Sequence, residues 1–229
     1  MRTWLPLTPR TVTVTERAPI GDFALLLHSH LPWLAHHGSW PVGEEWLYQS
    51  WSSSYLPVFD VLNRLASEGR TDLVTLGVTP VLAAQLDDSY CLAQFETWMG
   101  FWIERANQLA NHTDPSSRAV GQHEALVARD RLLTYHRDWS AGGSAVIRKL
   151  VDSGAIEFLG GPAAHPLQPL LDDAVAPFSL DVGLADSQLR IGRRPAGIWA
   201  PECGYRPGLE DVYSDAGVSH FMVDGPTML

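Results

Sequence analysis

A glutamate and several histidines follow short apolar segments of the chain, and their types and spacing could support chemistry. Glu202 lies within Ile198-Trp-Ala-Pro-Glu-Cys-Gly-Tyr205, where tryptophan, proline and tyrosine surround it. A carboxylate among aromatic and apolar groups loses water, a cost that enzymes accept for a nucleophile or a proton donor. A single glutamate after proline is more often part of a salt-bridged turn, so other residues must decide between the two interpretations.

The first hypothesis is that Glu202 is the nucleophile of a glycoside-cleaving enzyme. Retaining enzymes of this class hold a nucleophilic carboxylate and an acid/base carboxylate about 5–5.5 Å apart. Trp33 and Trp199 would present flat apolar faces to glucose rings, and Asp224 would position a hydroxyl group or another side chain. Hydrogen bonds to sugar hydroxyls would come from His28, His30 and His165. The sequence offers no evident second carboxylate for the acid/base role.

The second hypothesis is a metal-dependent deacetylase or amidohydrolase. His28 and His30 fall on the same side of an extended segment, because side chains repeat every second residue along a strand. Together with His165 and Asp224 they could complete a zinc or iron site. A third interpretation is a sugar-binding module without catalysis, in which the carboxylate of Glu202 only hydrogen-bonds a ligand.

Other aromatic and imidazole side chains have competing interpretations. The chain contains nine tryptophans, and four of them lie close together near its start: Trp33, Trp40, Trp46 and Trp51. This density indicates stacking on sugar faces, with packing in the core as the alternative. Three further histidines are expected to be solvated or to bond to backbone groups: His36, His37 and His220.

Short apolar segments alternate with helical patterns along the whole chain. The predicted strands are residues 23–28, 73–78, 156–159, 197–200 and 220–223. The predicted helices are residues 45–65 with a break at Pro57, 93–110, 124–152, 178–189 and 207–216. Thr79-Pro80 is typical of a helix start, and the polar residues 111–121 predict a mobile loop. Such alternation favours parallel strands joined by crossover helices, in an α/β barrel or a doubly wound sheet.

The polar candidates fall where an α/β barrel builds its active site. They all lie at or just beyond the carboxyl ends of predicted strands: His28, His30, His165, Glu202 and Asp224. In barrels of this kind the active site is formed at that face. A random arrangement would scatter these groups over strand starts, helices and loops, so their shared position favours the barrel and a functional site.

Composition excludes several classes of protein. The chain has 229 residues, 45% of them hydrophobic, which is enough for a sizeable core. Its formal net charge of −10 argues against nucleic acid as a partner, because phosphate binding depends on lysine and arginine. Cys91 and Cys203 form no CxxC motif, and neither a signal peptide nor an apolar segment of about 20 residues is present. We therefore expect a cytoplasmic protein with no nucleic acid or membrane partner.

Taken together, the motifs resemble those of glycoside hydrolase family 57, and in particular its 1,4-α-glucan branching enzymes of the actinobacterial type. The likeness extends from about Phe23 to the last residue. The matching segments are His28-Ser-His-Leu-Pro-Trp33, Trp40-Pro-Val-Gly-Glu-Glu-Trp46, Gly160-Gly-Pro-Ala-Ala-His-Pro-Leu-Gln-Pro169 and Ile198-Trp-Ala-Pro-Glu-Cys-Gly-Tyr205. They correspond to the first three ordered motifs of that family and are far more specific together than singly.

This resemblance implies a (β/α)7-type barrel, a retaining mechanism, no catalytic metal and no cofactor. It implies that Glu202 is the nucleophile and that the substrate is an α-1,4-glucan. His28, with His30 beside it, and His165 would line the donor glucose site, with Trp33 close by. An α-amylase or a 4-α-glucanotransferase of the same family would share this nucleophile and differ in the acceptor.

The chain departs from the family's pattern in length. Family members continue well beyond residue 229, and the resemblance implies an acid/base aspartate on a fourth motif downstream. We therefore expect residues 1–22 to be an N-terminal extension and residues 23–229 to be the N-terminal part of a catalytic barrel truncated after about its fifth strand. The chain alone is expected to be nearly inactive, either as one half of a split enzyme with a complementary C-terminal fragment or as an inactive glucan-binding fragment.

Overall fold

The computed structural model describes residue 21, residues 23–38 and residues 43–228. Apart from Gly21, the predicted extension at residues 1–22 lies outside the described residues, and so does Trp40. Within the described ranges, no helix combines the length and the apolar character needed to cross a membrane.

In the part of the chain that the structure describes, five parallel strands form one sheet in chain order. They are β1 (Leu26–Ser29), β2 (Val74–Val78), β3 (Ile156–Gly160), β4 (Gly197–Trp199) and β5 (His220–Met222). Each strand pairs with the next one in the sequence, whereas the strand order of a doubly wound sheet reverses. The sheet is therefore part of a (β/α) barrel, and all five predicted strands are confirmed.

The helices cover the outer face of this sheet. They are α1 (Glu44–Ser50), α2 (Leu56–Ser67), α3 (Pro80–Asp87), α4 (Ser89–Ala110), α5 (Pro115–Thr134), α6 (Gly143–Asp152), α7 (Val175–Ile191) and α8 (Leu209–Asp215). Side chains on one face of the strands, such as Leu76, Phe158 and Ile198, are buried against them. The opposite, concave face carries more polar groups, including His28, and is the face on which the site is built.

The predicted break at Pro57 is wrong, because α1 continues into α2 through a π-helical turn at Trp51–Tyr55. The N–H of Leu56 donates to the carbonyl of Trp51, five residues earlier, which is the π pattern. Pro57 directly follows this π-helical turn, where the regular hydrogen bonding of the α-helix is already interrupted, so its missing N–H is tolerated without a break.

Two other helix predictions need correction. The predicted loop at residues 111–121 is short, because α5 already begins at Pro115, with Asp114 accepting the N–H of Ser117 at 2.7 Å. Gly121 lies inside α5, where a side chain would overlap the backbone of Ala110 on α4. The predicted helix at 124–152 is interrupted before α6 by Gly142, whose φ of 95° is typical of glycine. Close packing of α4 against α5 at Gly121 explains why the polar residues 115–121 form a helix and not a loop.

The largest core cluster lies between the sheet and the first six helices. Trp51 is fully buried, with its ring centroid 4.7 Å from that of Phe95 and 5.7 Å from that of Trp139. Trp51 is therefore a packing residue, whereas Trp33 and Trp46 are 45% and 48% exposed. The sugar-stacking interpretation of the tryptophan group is wrong for Trp51.

Candidate active site

Four rings form a continuous stack at the carboxyl ends of β1, β3 and β4. Trp199, the last residue of β4, stacks on His28 with centroids 4.3 Å apart and planes 9° from parallel. His165 follows at 5.2 Å from His28, and His30 lies 4.1 Å from His165. The barrel thus brings together four of the predicted site residues from three separate segments. Because His28 covers one face of Trp199, only the other face or the edge of that indole can contact a sugar.

Strand β2 leaves room for one histidine of this stack, and the residue that follows β2 contacts another. A Cβ at Gly77 would lie 3.2 Å from His28 Nδ1, so the imidazole fits because glycine occupies that position. Thr79, directly after β2, holds the other end of the stack, since its Oγ1 is 3.2 Å from His30 Nδ1. From the sequence, Thr79 was predicted only as a helix cap, and it also has that role because its side chain accepts the N–H of Leu82.

Glu202 lies at the open side of the stack, in a turn after β4. Its Oε1 is 4.0 Å from His165 Nε2. The turn is held by Cys203 N, which donates to Ala200 O at 2.8 Å, and Gly204 N, which donates to Pro201 O at 2.9 Å. The nucleophile candidate is thus adjacent to the imidazoles that would bind a sugar.

Two site residues adopt backbone conformations that are rare for residues other than glycine. Glu202 has φ 54° and His165 has φ 54°, and Cys203, next to Glu202, has φ 55°. A left-handed conformation costs free energy in such residues and persists where the surrounding structure enforces it, often at functional sites. The two strained turns are those that bring Glu202 and His165 together.

The expected desolvation of Glu202 is wrong for the described residues, because its side chain is 74% exposed. Tyr205 does not cover it, since the Tyr205 hydroxyl donates to Glu210 at 2.8 Å and its ring stacks towards Phe221. The left-handed turn leaves Pro201 buried and Glu202 exposed. The carboxylate is therefore accessible to a substrate.

Asp224 lies beyond β5 and is exposed. Burial, and then the nearby carboxylates of Asp224 and Glu202, raise the pKa of the Cys203 thiol. Asp224 is therefore near the Glu202 turn, as the sequence predicts, while its role as a substrate contact stays a prediction. Trp33 forms no aromatic pair with another described residue, so its place in the site depends on the backbone that carries it.

Burial keeps the stacked imidazoles neutral. Desolvation, and then the charge of His30, lower the pKa of His28 to about 4. Desolvation and the charges of His30 and His28 lower the pKa of His165 to about 3. Desolvation also lowers the pKa of His30, although Glu202 opposes this shift. A neutral imidazole donates through one nitrogen and accepts through the other, so the stack can serve sugar hydroxyls in both ways.

These shifts predict a loss of stability in acid. The folded-state pKa values of His28 and His165 lie below the ordinary value of 6.5, so their contribution is fully present above pH 6.5 and is lost as the pH falls towards 4. Unfolding near pH 5 should take up about two protons at these sites, and about one in His165→Gln. Urea unfolding from pH 7.5 to 4.5 measures this, with the exposed His37→Gln as control. An unchanged pH slope in His165→Gln would contradict the assignment.

The stack is poorly suited to a metal ion. The lone pair of an imidazole nitrogen lies in the plane of the ring. In the stacked pairs His28–His165 and His30–His165, the two ring planes are 25° and 29° from parallel. Because the three imidazole rings are stacked one above another, their nitrogen lone pairs do not converge on a single point where a metal ion could bind. Among the residues described, no group of three histidine, cysteine or acidic side chains is arranged to hold a metal. The geometry argues against the deacetylase hypothesis.

The environment of His220 differs from the one expected from the sequence. His36 and His37 are exposed, as predicted, but His220 is half-buried. Its Nε2 lies 3.0 Å from Glu157 Oε1, outside hydrogen-bonding geometry, and Glu157 accepts from Thr75 Oγ1 at 2.8 Å. A Cβ at Gly197 would overlap the His220 ring, so glycine in β4 makes room for it. This polar layer was not predicted from the sequence, although one polar residue within each otherwise apolar strand, Glu157 in β3 and His220 in β5, gives a weak signal for it.

The chain-ordered parallel sheet, with polar groups gathered at its carboxyl ends, defines a protein of the (β/α)-barrel class. The sequence profile named Glycosyl hydrolase family 57 matches residues 24–229. The chain belongs to that family.

Similar proteins carry names that refer to branching of glucans. A probable 1,4-alpha-glucan branching enzyme of Mycobacterium tuberculosis is 52% identical over an alignment that covers 93% of this chain and 44% of that protein. The 1,4-alpha-glucan branching enzyme of Thermococcus kodakarensis is 31% identical, with 89% of this chain and 32% of that protein covered. A family 57 branching enzyme structure from Pyrococcus horikoshii matches with a TM-score of 0.82 at 29% identity, over 86% of this chain and 41% of the other. The chain thus spans less than half the length of these relatives.

Proposed function

We propose that residues 23–229 are the N-terminal part of the catalytic barrel of a 1,4-α-glucan branching enzyme, preceded by an extension at residues 1–22. The observation that carries this proposal is the position of Glu202, at the carboxyl end of β4 and 4.0 Å from the buried imidazole of His165. The names of the similar proteins support the choice of reaction. The partner is then an α-1,4-glucan of the glycogen type, and the setting is the cytoplasm.

In the first step, a carboxylate oxygen of Glu202 attacks the anomeric carbon of a glucose unit in the donor chain. The glycosidic C–O bond breaks, and the departing oxygen takes a proton from an acid/base carboxylate. The donor segment is then held as an ester on Glu202. The high exposure of the carboxylate in this chain leaves room for a sugar to approach.

In the second step, the 6-hydroxyl of an acceptor glucose attacks the same anomeric carbon. The hydroxyl loses its proton to the acid/base carboxylate, the ester bond breaks, and an α-1,6 linkage forms while Glu202 is released. Two inversions at one carbon retain its configuration. The neutral imidazoles of His28, His30 and His165 hydrogen-bond the hydroxyls of the donor glucose, with Trp199, Trp33 and Asp224 as further contacts.

Transfer rather than hydrolysis requires that water be kept from the ester. The carboxylate of Glu202 is 74% exposed in the described part of the chain, so these residues alone do not exclude water. We therefore propose that a complementary C-terminal fragment covers this side of the site and supplies the acid/base aspartate that the family resemblance implies.

The test is a branching assay on amylose with the chain alone and with the chain mixed with the downstream fragment of a family relative. The chain alone should form no α-1,6 linkages, whereas the assembled mixture should form linkages that isoamylase removes. An assembled mixture that forms none would overturn the branching assignment. New reducing ends without branches would indicate hydrolysis, and branching by the chain alone would show that the proposed fragment is not needed.

A further inference from the structure

The segment between β1 and α1 carries Trp33 and is held by one buried side chain. Gln85 of α3 is 0% exposed. Its Oε1 accepts from Leu34 N at 2.6 Å and from Ala35 N at 3.2 Å, and its Nε2 donates to Pro32 O at 2.9 Å. Three hydrogen bonds from a single amide thus fix the backbone on both sides of Trp33.

The hydrogen-bonding capacity of this amide is fully used. A glutamine side chain offers two donors and two acceptor sites, and the fourth bond runs from Nε2 to Val81 O within α3, at 3.2 Å. Because Gln85 is completely buried, water cannot replace a bond that is lost. Glutamate would keep the acceptors but would lose the bonds donated to Pro32 O and Val81 O, and methionine would lose all four bonds at a similar volume.

The same helix also holds the start of this segment. Thr79, the N-cap of α3, contacts His30 through Oγ1 and Nδ1 at 3.2 Å. Thr79 and Gln85 are six residues apart, which corresponds to about 9 Å along a helix. Helix α3 therefore fixes the distance between His30, which belongs to the ring stack, and the backbone of Trp33.

Trp33 depends on this support for its orientation. It is 45% exposed, whereas its neighbours Leu31, Leu34 and Ala35 are buried. The backbone that Gln85 holds sets the direction of the Trp33 Cα–Cβ bond, and its φ and ψ angles restrict the rotamers that the half-exposed indole can adopt. We propose that Gln85 is a positioning residue that sets the Trp33 indole at a fixed place relative to His30, as a platform for a glucose ring. This inference rests on the proposed function for the identity of the sugar.

The structural test uses the 229-residue chain labelled with 5-fluorotryptophan, which gives one fluorine resonance for each of nine tryptophans. Trp33→Phe assigns the Trp33 signal by its absence. In Gln85→Met and Gln85→Glu, the Trp33 signal should move or broaden, while the signal of Trp102, which lies far along α4 and donates to Glu124 of α5, stays in place. The matched controls are Gln122→Met and Gln122→Glu, at an exposed position on α5, which should leave all signals unchanged. A folded Gln85 variant with an unmoved Trp33 signal would overturn the proposal.

A second measurement needs no variant at this position. In the unsubstituted chain, the amide protons of Leu34 and Ala35 should exchange far more slowly than unprotected loop amides, because Gln85 accepts both. Exchange at the unprotected rate would overturn the proposal even if both Gln85 variants failed to fold.

The functional readout separates this inference from the proposed function. In the assembled mixture, Gln85→Glu and Trp33→Ala should both raise KM for amylose by about tenfold, the scale of one lost aromatic contact, with a smaller change in kcat. If Trp33→Ala leaves KM unchanged, the role of Trp33 in sugar binding is wrong, although the fluorine result for Gln85 stands. If the mixture shows no glucan activity at all, the proposed function fails independently of the Trp33 signal.

Discussion

Glu202→Gln should abolish formation of α-1,6 linkages in the assembled mixture, with a loss on the order of 10⁴–10⁶-fold, as when other covalent enzymes lose their nucleophile. Glutamine has nearly the same shape as glutamate, so the turn at Pro201–Cys203 and the contact with His165 can persist. The amide is neutral and a poor nucleophile, so no ester with the donor segment forms. Binding of amylose should change little, because only the attack is lost.

The matched control for this substitution is Glu68→Gln, an exposed glutamate after α2 whose ion-pair partners among the described residues are the surface residues Arg64 and Arg70. It should retain full branching activity. A donor with a fluoride leaving group provides a second measurement, since fluoride departs without help from a general acid. Release of fluoride from α-maltotriosyl fluoride by the mixture should require Glu202 and not Glu68. Equal rates in both variants would show that the nucleophile is another residue.

Trp51→Ala should destabilise the chain by about 3–5 kcal/mol, whereas Trp46→Ala should change stability by no more than about 0.5 kcal/mol. The two tryptophans are five residues apart, yet Trp51 is 0% exposed and Trp46 is 48% exposed. Removal of the Trp51 indole leaves a cavity beside Phe95 and Trp139, because these rings contact it in the core.

Urea unfolding followed by far-ultraviolet circular dichroism measures both changes, with the midpoint and slope compared between variants. Phe101→Ala, at a position 60% exposed on α4, is a further control for the loss of an aromatic ring from the surface. Similar losses of stability in Trp51→Ala and Trp46→Ala would contradict the assignment of Trp51 to the core.

The strands were the most predictable part of this fold. Apolar segments such as 156–159 are typical of parallel strands, and all five occur close to their predicted positions. The grouping of His28, His165 and Glu202 followed from the same argument, since carboxyl ends of parallel strands meet at one edge. These features depend on short stretches of sequence, which is why one sequence sufficed to predict them.

Features that depend on contacts between distant segments were not predictable. The polar residues 111–121 resemble a loop, and only the packing of α4 against α5 makes most of them helical. The exposure of Glu202 follows from its φ of 54°, which no residue type in its motif indicates. Gln85 is one glutamine in an apolar helix, and its importance is evident only when the backbone of residues 32–35 is placed beside it.

The chain order of the strands also bears on how this polypeptide would fold during synthesis. Each strand pairs with the one translated just before it, so every β–α–β unit can close without waiting for a later part of the chain. The longest delay comes between β2 and β3, where residues 79–155 form α3 to α6 before β3 arrives. The entropic cost of closing a loop rises only slowly with the length of the loop, and helices that are neighbours in the sequence pair quickly. A ribosome-bound chain can therefore complete the ring stack only after β4 has emerged, so the stack forms later than the pairing of β1, β2 and β3.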